Sequence, residues 1–444
     1  SSDLWGDASG NGRPDLYLGA FADRPIYGQP DAPIPNPFFL NQPEGFVLSP
    51  DKTVRLEGER ARTTMALFCD FDNDGDLDLI AGQHANRGKD LPSVLFENTG
   101  NGSFTRHNSG EVGLPVRWRV RNLTALDADR DGLLDLFLTD GTYGDRKKNH
   151  PLLLLNRGKW RFEDASEAYG LPEARTAGLG LAVGDIDNDG DLDILNVHDN
   201  VLLIREGNRF RTFRPGNLVK SRGQSWPCGA AFGNLDGDDR PDLVLTVHGR
   251  PGEFYVYLNR EGEGLCPEFE PVLEGRLPRN AFKTGIPIKG AHVAIEDMDN
   301  DGLRDIVLSS TWTTEEGILQ PVILRHLGMG EDGKPRFSQP TFERCTGYYA
   351  PGPIADYDRD GRLDIFHPTW YEEVPSILWR NVTEGGHWLD VSVRGGGIGL
   401  RETTDIRMDG SGFNPMGIGA TVRIYRPRKA GRKKHLIGRD DITI

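Results

Sequence analysis

Cysteine is scarce in this chain, with four in 444 residues. They form no CxxC pair and no zinc spacing, which removes a dithiol redox centre and a structural zinc site. Long apolar runs are missing too, and none reaches the ~18 residues needed to span a membrane. There is no G-x-S-x-G, no H-E-x-x-H, no P-loop and no G-x-G-x-x-G in a βαβ setting, so the common catalytic and nucleotide signatures are absent. Positive charge is in deficit. Lys and Arg number 52 against 67 Asp and Glu, and the net charge of -15 argues against a nucleic-acid partner. The exception is "RPRKAGRKK" at 426–434, read as a solvated hairpin tip or as a contact for a polyanion. No leader-like segment stands at Ser1, so the chain reads as mature or trimmed.

What is abundant is turn-forming sequence. Gly (56) and Pro (29) supply about a fifth of the residues, and the mean hydropathy is -0.50. Such a chain suits many short strands joined by turns.

One nine-residue pattern recurs seven times, about 58 residues apart. The copies are "DASGNGRPD" from Asp7, "DFDNDGDLD" from Asp70, "DADRDGLLD" from Asp127, "DIDNDGDLD" from Asp185, "NLDGDDRPD" from Asn234, "DMDNDGLRD" from Asp297 and "DYDRDGRLD" from Asp356. Carboxylates this crowded repel one another unless a cation sits among them. Oxygens at positions 1, 3, 5 and 9, a turn glycine at 6 and a backbone carbonyl at 7 suit the roughly 6–8 oxygen ligands of Ca²⁺.

The candidate ligands follow position by position. They are Asp7, Ser9, Asn11 and Asp15 in loop one, and Asp70, Asp72, Asp74, Asp76 and Asp78 in loop two. Loop three offers Asp127, Asp129, Asp131, Leu133 and Asp135; loop four offers Asp185, Asp187, Asp189, Asp191 and Asp193. Loop five offers Asn234, Asp236, Asp238, Arg240 and Asp242. Loop six offers Asp297, Asp299, Asp301, Leu303 and Asp305, and loop seven Asp356, Asp358, Asp360, Arg362 and Asp364. Five to seven Ca²⁺ ions are expected; seven would bring a charge close to the opposite of the formal -15.

An EF-hand is excluded, because that loop needs twelve residues with Glu at 12 and flanking helices. Here short apolar runs flank each loop, such as "MALFC" and "LIAG" around the second, and these read as strands. In the fourth repeat "LGLAVGD", "LDILNVH", "VLLIREG" and "RFRTFR" read as four successive strands. The third-strand pattern returns in "SVLFENTGNGSF", "PLLLLNRGKWRF", "FYVYLNREG" and "SILWRN". Seven four-stranded units predict an all-β fold, a seven-bladed β-propeller, with a small C-terminal β segment.

The loops followed by "LDL", and strands of the "LFENTGNGSF" type, resemble the FG-GAP/VCBS repeats, which also occur in integrin α-chains. The tail pair "GHWLDVSVRGGG" (386–397) and "NPMGIGATVRIY" (414–425) resembles the ASPIC/UnbV domain, a pairing found in the cartilage acidic protein family and its bacterial relatives. The resemblance implies a calcium-binding propeller over 1–385, a β domain over 386–444 that stops early, and a secreted, periplasmic or cell-surface location.

Two loops depart from the pattern. Loop one has Ser9 and Asn11 where Asp is usual. Loop five has Asn234 at position 1 and Asp239 at the turn-glycine position. Both are expected to bind metal more weakly. Cys228 and Cys266 are close enough in sequence to pair, and spacing alone leaves that open. Sequons stand at Asn101, Asn122 and Asn381.

A ligand face is expected opposite the metal loops, where blade links gather. Candidates are Arg62, Arg119, Arg175, Trp226, His292, Trp312, Tyr348 and Trp370, with His84, His198, His248 and His367 after the second strands. Aromatic, Arg and His side chains suit sugar rings, carboxylated polysaccharides or a peptide, and equally describe scattered rim residues. Three functions remain: a binding or adhesion module for a glycan or protein, a lyase-like polysaccharide-degrading enzyme, and a structural part of a surface assembly. Fold does not decide among them.

Overall fold

The computed structural model describes residues 3–385, except 21–33, 58, 60–61, 85–90, 117–118, 141–149, 175–179, 224, 249–252, 263–265, 277–291, 339–344, 350–351 and 370–374. Beyond these it describes the two strands Thr421–Tyr425 and Leu436–Asp441. The chain builds seven antiparallel blades in a propeller, at residues 3–48, 63–107, 120–164, 181–213, 226–276, 293–337 and 354–379. Among the described residues, helix is confined to one turn at Ser109–Val112 and a 3-10 turn at Leu171–Glu173.

Blade two shows the plan. Its first strand, Thr63–Cys69, pairs with Asp78–Gln83 across the aspartate loop, and Val94–Asn98 and Phe104–His107 follow outward. The second strand is buried at every position because neighbouring blades cover both faces of the sheet. Blade one completes four strands although its first, Asp3–Gly6, has only four residues. In blade six the third strand, Leu319–Leu324, resumes after a one-residue break as His326–Met329, which pairs with Pro335–Phe337. Blade seven has three described strands, Ile354–Ala355, Asp364–His367 and Ile377–Trp379.

The core lies as successive layers between blades. Phe38, Phe68, Phe96 and Phe104 fill the layer between blades one and two. Val256, Leu258, Ile295, Ile306 and Leu308 fill that between five and six. These layers are tight near the loops: a Cβ on Gly233 would stand 2.7 Å from Ile295 Cγ2. The ring closes between blades seven and one. Trp5 stacks on Tyr357 at 6.3 Å and its indole N–H donates to the Pro353 carbonyl at 3.3 Å.

The proposed second domain lies largely outside the described residues; only its antiparallel pair of strands is seen, with Thr421 opposite Asp441 and a register shift between Ile424 and Tyr425. Cys228 and Cys266 are free thiols, so the disulfide left open by the sequence is not formed. Cys266 Sγ instead accepts from Arg211 Nη1 at 3.5 Å.

Candidate metal centres on the loop face

All seven aspartate loops share one backbone. Position 4 has positive φ in each: Gly10, Asn73, Arg130, Asn188, Gly237, Asn300 and Arg359. So does position 6, where loop five places Asp239 at φ 76°. Asp tolerates the left-handed region better than most residues, so the turn survives the loss of glycine.

Side-chain oxygens at two positions shape the loops by accepting backbone N–H groups. Position 1 caps the turn: Asp70 accepts from Asp74 and Gly75, Asp297 from Asp301 and Gly302, and Asp356 from Asp360 and Gly361. Position 9 does more. One oxygen of Asp15, Asp78, Asp135, Asp193, Asp242, Asp305 and Asp364 accepts the backbone N–H at the end of the blade's third strand. The other accepts from within the loop, at position 2 in six loops and at Ser9 in loop one. All seven are fully buried. Burial pushes Asp78 and Asp135 up to about 8 and Asp305 and Asp364 to about 6, against the opposing effect of those N–H bonds.

The third-strand residue that meets position 9 also reaches the previous blade. Asn98, Asn156, Arg205, Asn259, His326, Asn381 and Asn41 donate to the position-2 carbonyls of Ala8, Phe71, Ala128, Ile186, Leu235, Met298 and Tyr357, all at 2.7–2.8 Å. His326 donates through Nε2 because its Nδ1 accepts the Gly328 N–H. These seven clamps run round the whole ring and hold every loop on one face. The Asn-ending third strands are plain in the sequence, but this role is not. Asn381 and Asn122 stand in sequons, and Asn122 lies in an inner strand, where an acceptor is expected to be poor. Asn381 is a clamp, and the Asn122 amide is buried against Thr139 Oγ1, so neither amide is presented as a glycan acceptor.

A second belt links neighbouring loops through position 4. Asn73 donates to the Gly132 carbonyl, Asn188 to Asp239 and Asn300 to Gly361, and Arg130 pairs with Asp191 at 2.6 Å. Loops one and five, with Gly10 and Gly237 there, have no side chain to extend.

Carboxylates converge in five loops, with ligand atoms within 4.8 Å of one another: Asp70, Asp72 and Asp78; Asp127, Asp129 and Asp135; Asp185, Asp187 and Asp193; Asp297, Asp299 and Asp301; Asp356, Asp358 and Asp360. Loops one and five supply no such triad. In loops three, four, six and seven the position-3 oxygen Oδ1, of Asp129, Asp187, Asp299 and Asp358, is buried with no hydrogen-bond partner. The outer oxygen of three of these pairs with an arginine: Asp129 with Arg157, Asp299 with Arg325 and Asp358 with Arg380. Burial, with Asp189 next, pushes Asp187 up to about 6. A buried carboxylate oxygen without a donor fits a bound cation. The donor sets of loops three, four, six and seven therefore fit a hard divalent ion; loop two fits by its triad alone.

The opposite face is less convergent. Arg62 is buried at 5% exposure. Trp226 packs against His248, with ring centroids 4.2 Å apart, and lies 6.1 Å from His198. Trp312 is half-buried and pairs across strands with Gln320. His292 is exposed, Arg119 is partly exposed, and His367 is buried, accepting from Trp379 Nε1. Arg175, Trp370 and the Tyr348 side chain lie outside the described residues. The structure thus gathers Trp226, His198 and His248.

A family model described as an FG-GAP-like repeat matches residues 70–138 and 141–196. The chain is similar to cartilage acidic protein 1 from Homo sapiens, at 26% identity over 68% of this chain and 45% of that protein. It is similar to the Xenopus tropicalis protein at 28% identity over 54% of this chain and 36% of that protein. It spans less than half the length of these relatives. Among solved structures, an exotype rhamnogalacturonan lyase aligns at a TM-score of 0.42 and 14% identity, covering 83% of this chain and 70% of that one. The chain is a seven-bladed β-propeller that carries FG-GAP-like repeats and is similar to cartilage acidic protein 1.

Proposed function

We propose that this protein is an extracellular binding module, a propeller stabilised by calcium that presents its other face to a glycan or protein ligand. The observation that carries the calcium reading is the buried, undonated Oδ1 of Asp129, Asp187, Asp299 and Asp358, each within a converging carboxylate triad. Positions 1, 3, 5 and 9 and the carbonyl at 7 would hold the ion, with Asp72 and its neighbours doing so in loop two. The ion would supply the positive charge that lets these carboxylates stay together. The absence, among the described residues, of any helix long and apolar enough to cross a membrane is compatible with this reading, as is the similarity to cartilage acidic protein 1.

The ligand reading starts from Trp226 with His198 and His248 on the face away from the loops. An indole plane beside imidazoles suits a sugar ring or a peptide aromatic. Glycan-array binding of the whole chain, with calcium and with EDTA, tests it. Saturable binding weakened by Trp226→Ala supports a binding module. Depolymerisation of an acidic polysaccharide would replace it with an enzyme, and concentration-dependent self-association without ligand would replace it with a structural role.

A further inference from the structure

Loop five departs from its neighbours in a way that identifies what holds it together. Its carboxylates at ligand positions are Asp236, Asp238 and Asp242, with buried Asp239 at position 6, and they form no converging triad. The Asp236 side chain is only 4% exposed, so its charge needs a partner. That partner is Arg260, on the third strand of the same blade, Glu253–Glu261. Arg260 Nη1 stands 2.6 Å from Asp236 Oδ2 and 3.6 Å from Asp238 Oδ2. Its Nε donates to Glu270 Oε2 at 3.0 Å, and the other Glu270 oxygen lies 2.7 Å from Lys334 Nζ in blade six.

Arginines also touch position 3 in loops three, six and seven, but there they leave Oδ1 without a partner. In loop five Asp236 Oδ1 accepts the Asp238 N–H at 3.1 Å, and no loop-five side-chain oxygen is left buried and undonated. The junction with loop six differs as well. Gly237 has no side chain to make the bond that Asn73, Asn188 and Asn300 make elsewhere. The run Arg260–Glu270–Lys334 crosses that same junction.

We infer that loop five takes no metal ion, that Arg260 is its built-in cation, and that Glu270 and Lys334 tie blade five to blade six in place of the missing loop-to-loop bond. This rests on the reading that the triad-bearing loops bind calcium. A guanidinium donates to several carboxylates at once in fixed directions. It also brings one positive charge where an ion would bring two, which suits a loop with neutral Asn234 at position 1.

Hydrogen exchange on the whole chain tests this. On adding EDTA, amides of loops two, three, four, six and seven lose protection about ten-fold or more, while residues 234–242 change less than about two-fold. In excess calcium, Arg260→Gln lowers protection at 234–242 about ten-fold and leaves 185–193 within about two-fold. A loop five that responds to EDTA like its neighbours, or an Arg260→Gln protein with unchanged protection at 234–242, overturns this inference alone. If no loop responds to EDTA, the calcium reading itself fails. Should Arg260→Gln not fold, the unmodified protein with and without EDTA still decides.

Discussion

Loops four and five are neighbours on the ring, joined by the Asn188 side chain and the Asp239 carbonyl, and their backbones have the same two positive-φ residues. Their chemistry differs. Loop four holds a buried triad, Asp185, Asp187 and Asp193, with Asp187 Oδ1 undonated. Loop five has no triad and an arginine on its position-3 carboxylate. The loop fold is therefore separable from the need for an ion. Backbone N–H groups on positions 1 and 9 set the shape. Position 3 and its partner set the charge requirement.

The largest expected effect tests whether the distinction matters at all. Each occupied site contributes about 2.7 kcal/mol at a hundred times Kd. Chelation should therefore lower the melting temperature by about 10 °C or more, with Ca²⁺ restoring it and Mg²⁺ doing so poorly. Scanning calorimetry in EDTA, and after each metal is returned, measures this. An unchanged melting curve would erase the difference between the two loops.

Next come substitutions within the loops. Asp187→Ala or Asp299→Ala should cost about 2–3 kcal/mol in saturating calcium, and much less in EDTA, where the site is already without its ion. Asp7→Ala removes only the cap on Asn11 and Gly12 and should cost about 1 kcal/mol, equally with and without calcium. Calcium titration by calorimetry should find one site fewer in the first two variants and the same number in Asp7→Ala. Equal losses in all three would break the comparison.

The clamps offer a smaller effect that should not depend on the ion. Asn156→Ala leaves the Phe71 and Leu134 carbonyls without that donor and should cost about 1–2 kcal/mol with or without calcium. Denaturant melts of this variant in both conditions check it; a cost seen only with calcium would make the clamp part of the ion site. Smallest is Asp239→Gly. It relieves a side chain held at φ 76° and leaves the carbonyl that Asn188 uses, but it removes a buried, engaged carboxylate, so the net change should stay within about 1 kcal/mol. A variant destabilised by more than this would show that the Asp239 side chain does more in loop five than tolerate the turn.

Much of this architecture is legible in the sequence because it repeats. Seven nine-residue loops at even spacing give the blade count, and alternating apolar runs give the strands. The expected weakness of loops one and five is read from Ser9, Asn11 and Asn234, and these are the two loops without a carboxylate triad. What was hidden lies between repeats. Position 9 reads from one loop as a ligand alone; that both its oxygens also take backbone N–H groups from two segments is a fact no single loop can disclose. The clamp residues were plain in "LFEN", "LLLLN", "YVYLN" and "LWRN", but Arg205 and His326 do the same job and break the pattern by letter. Arg260 was hidden for a similar reason: it stands some twenty residues from the carboxylates it serves. The ligand face was least legible, since composition could not tell buried Arg62 and His367 from a gathered set around Trp226.

The direction of the clamps has a consequence for how the chain is made. Each loop's position-2 carbonyl is bound by the blade that follows it, so during synthesis from the N terminus a loop stays unfinished until the next repeat emerges. Loop seven is the exception. Its partner, Asn41, is made near the start and waits 316 residues for Tyr357. Every other clamp spans fewer than a hundred residues. Birth of the ring is thus a series of short, local closures ended by one long-range latch, and a chain cut before blade seven would keep that latch open for life.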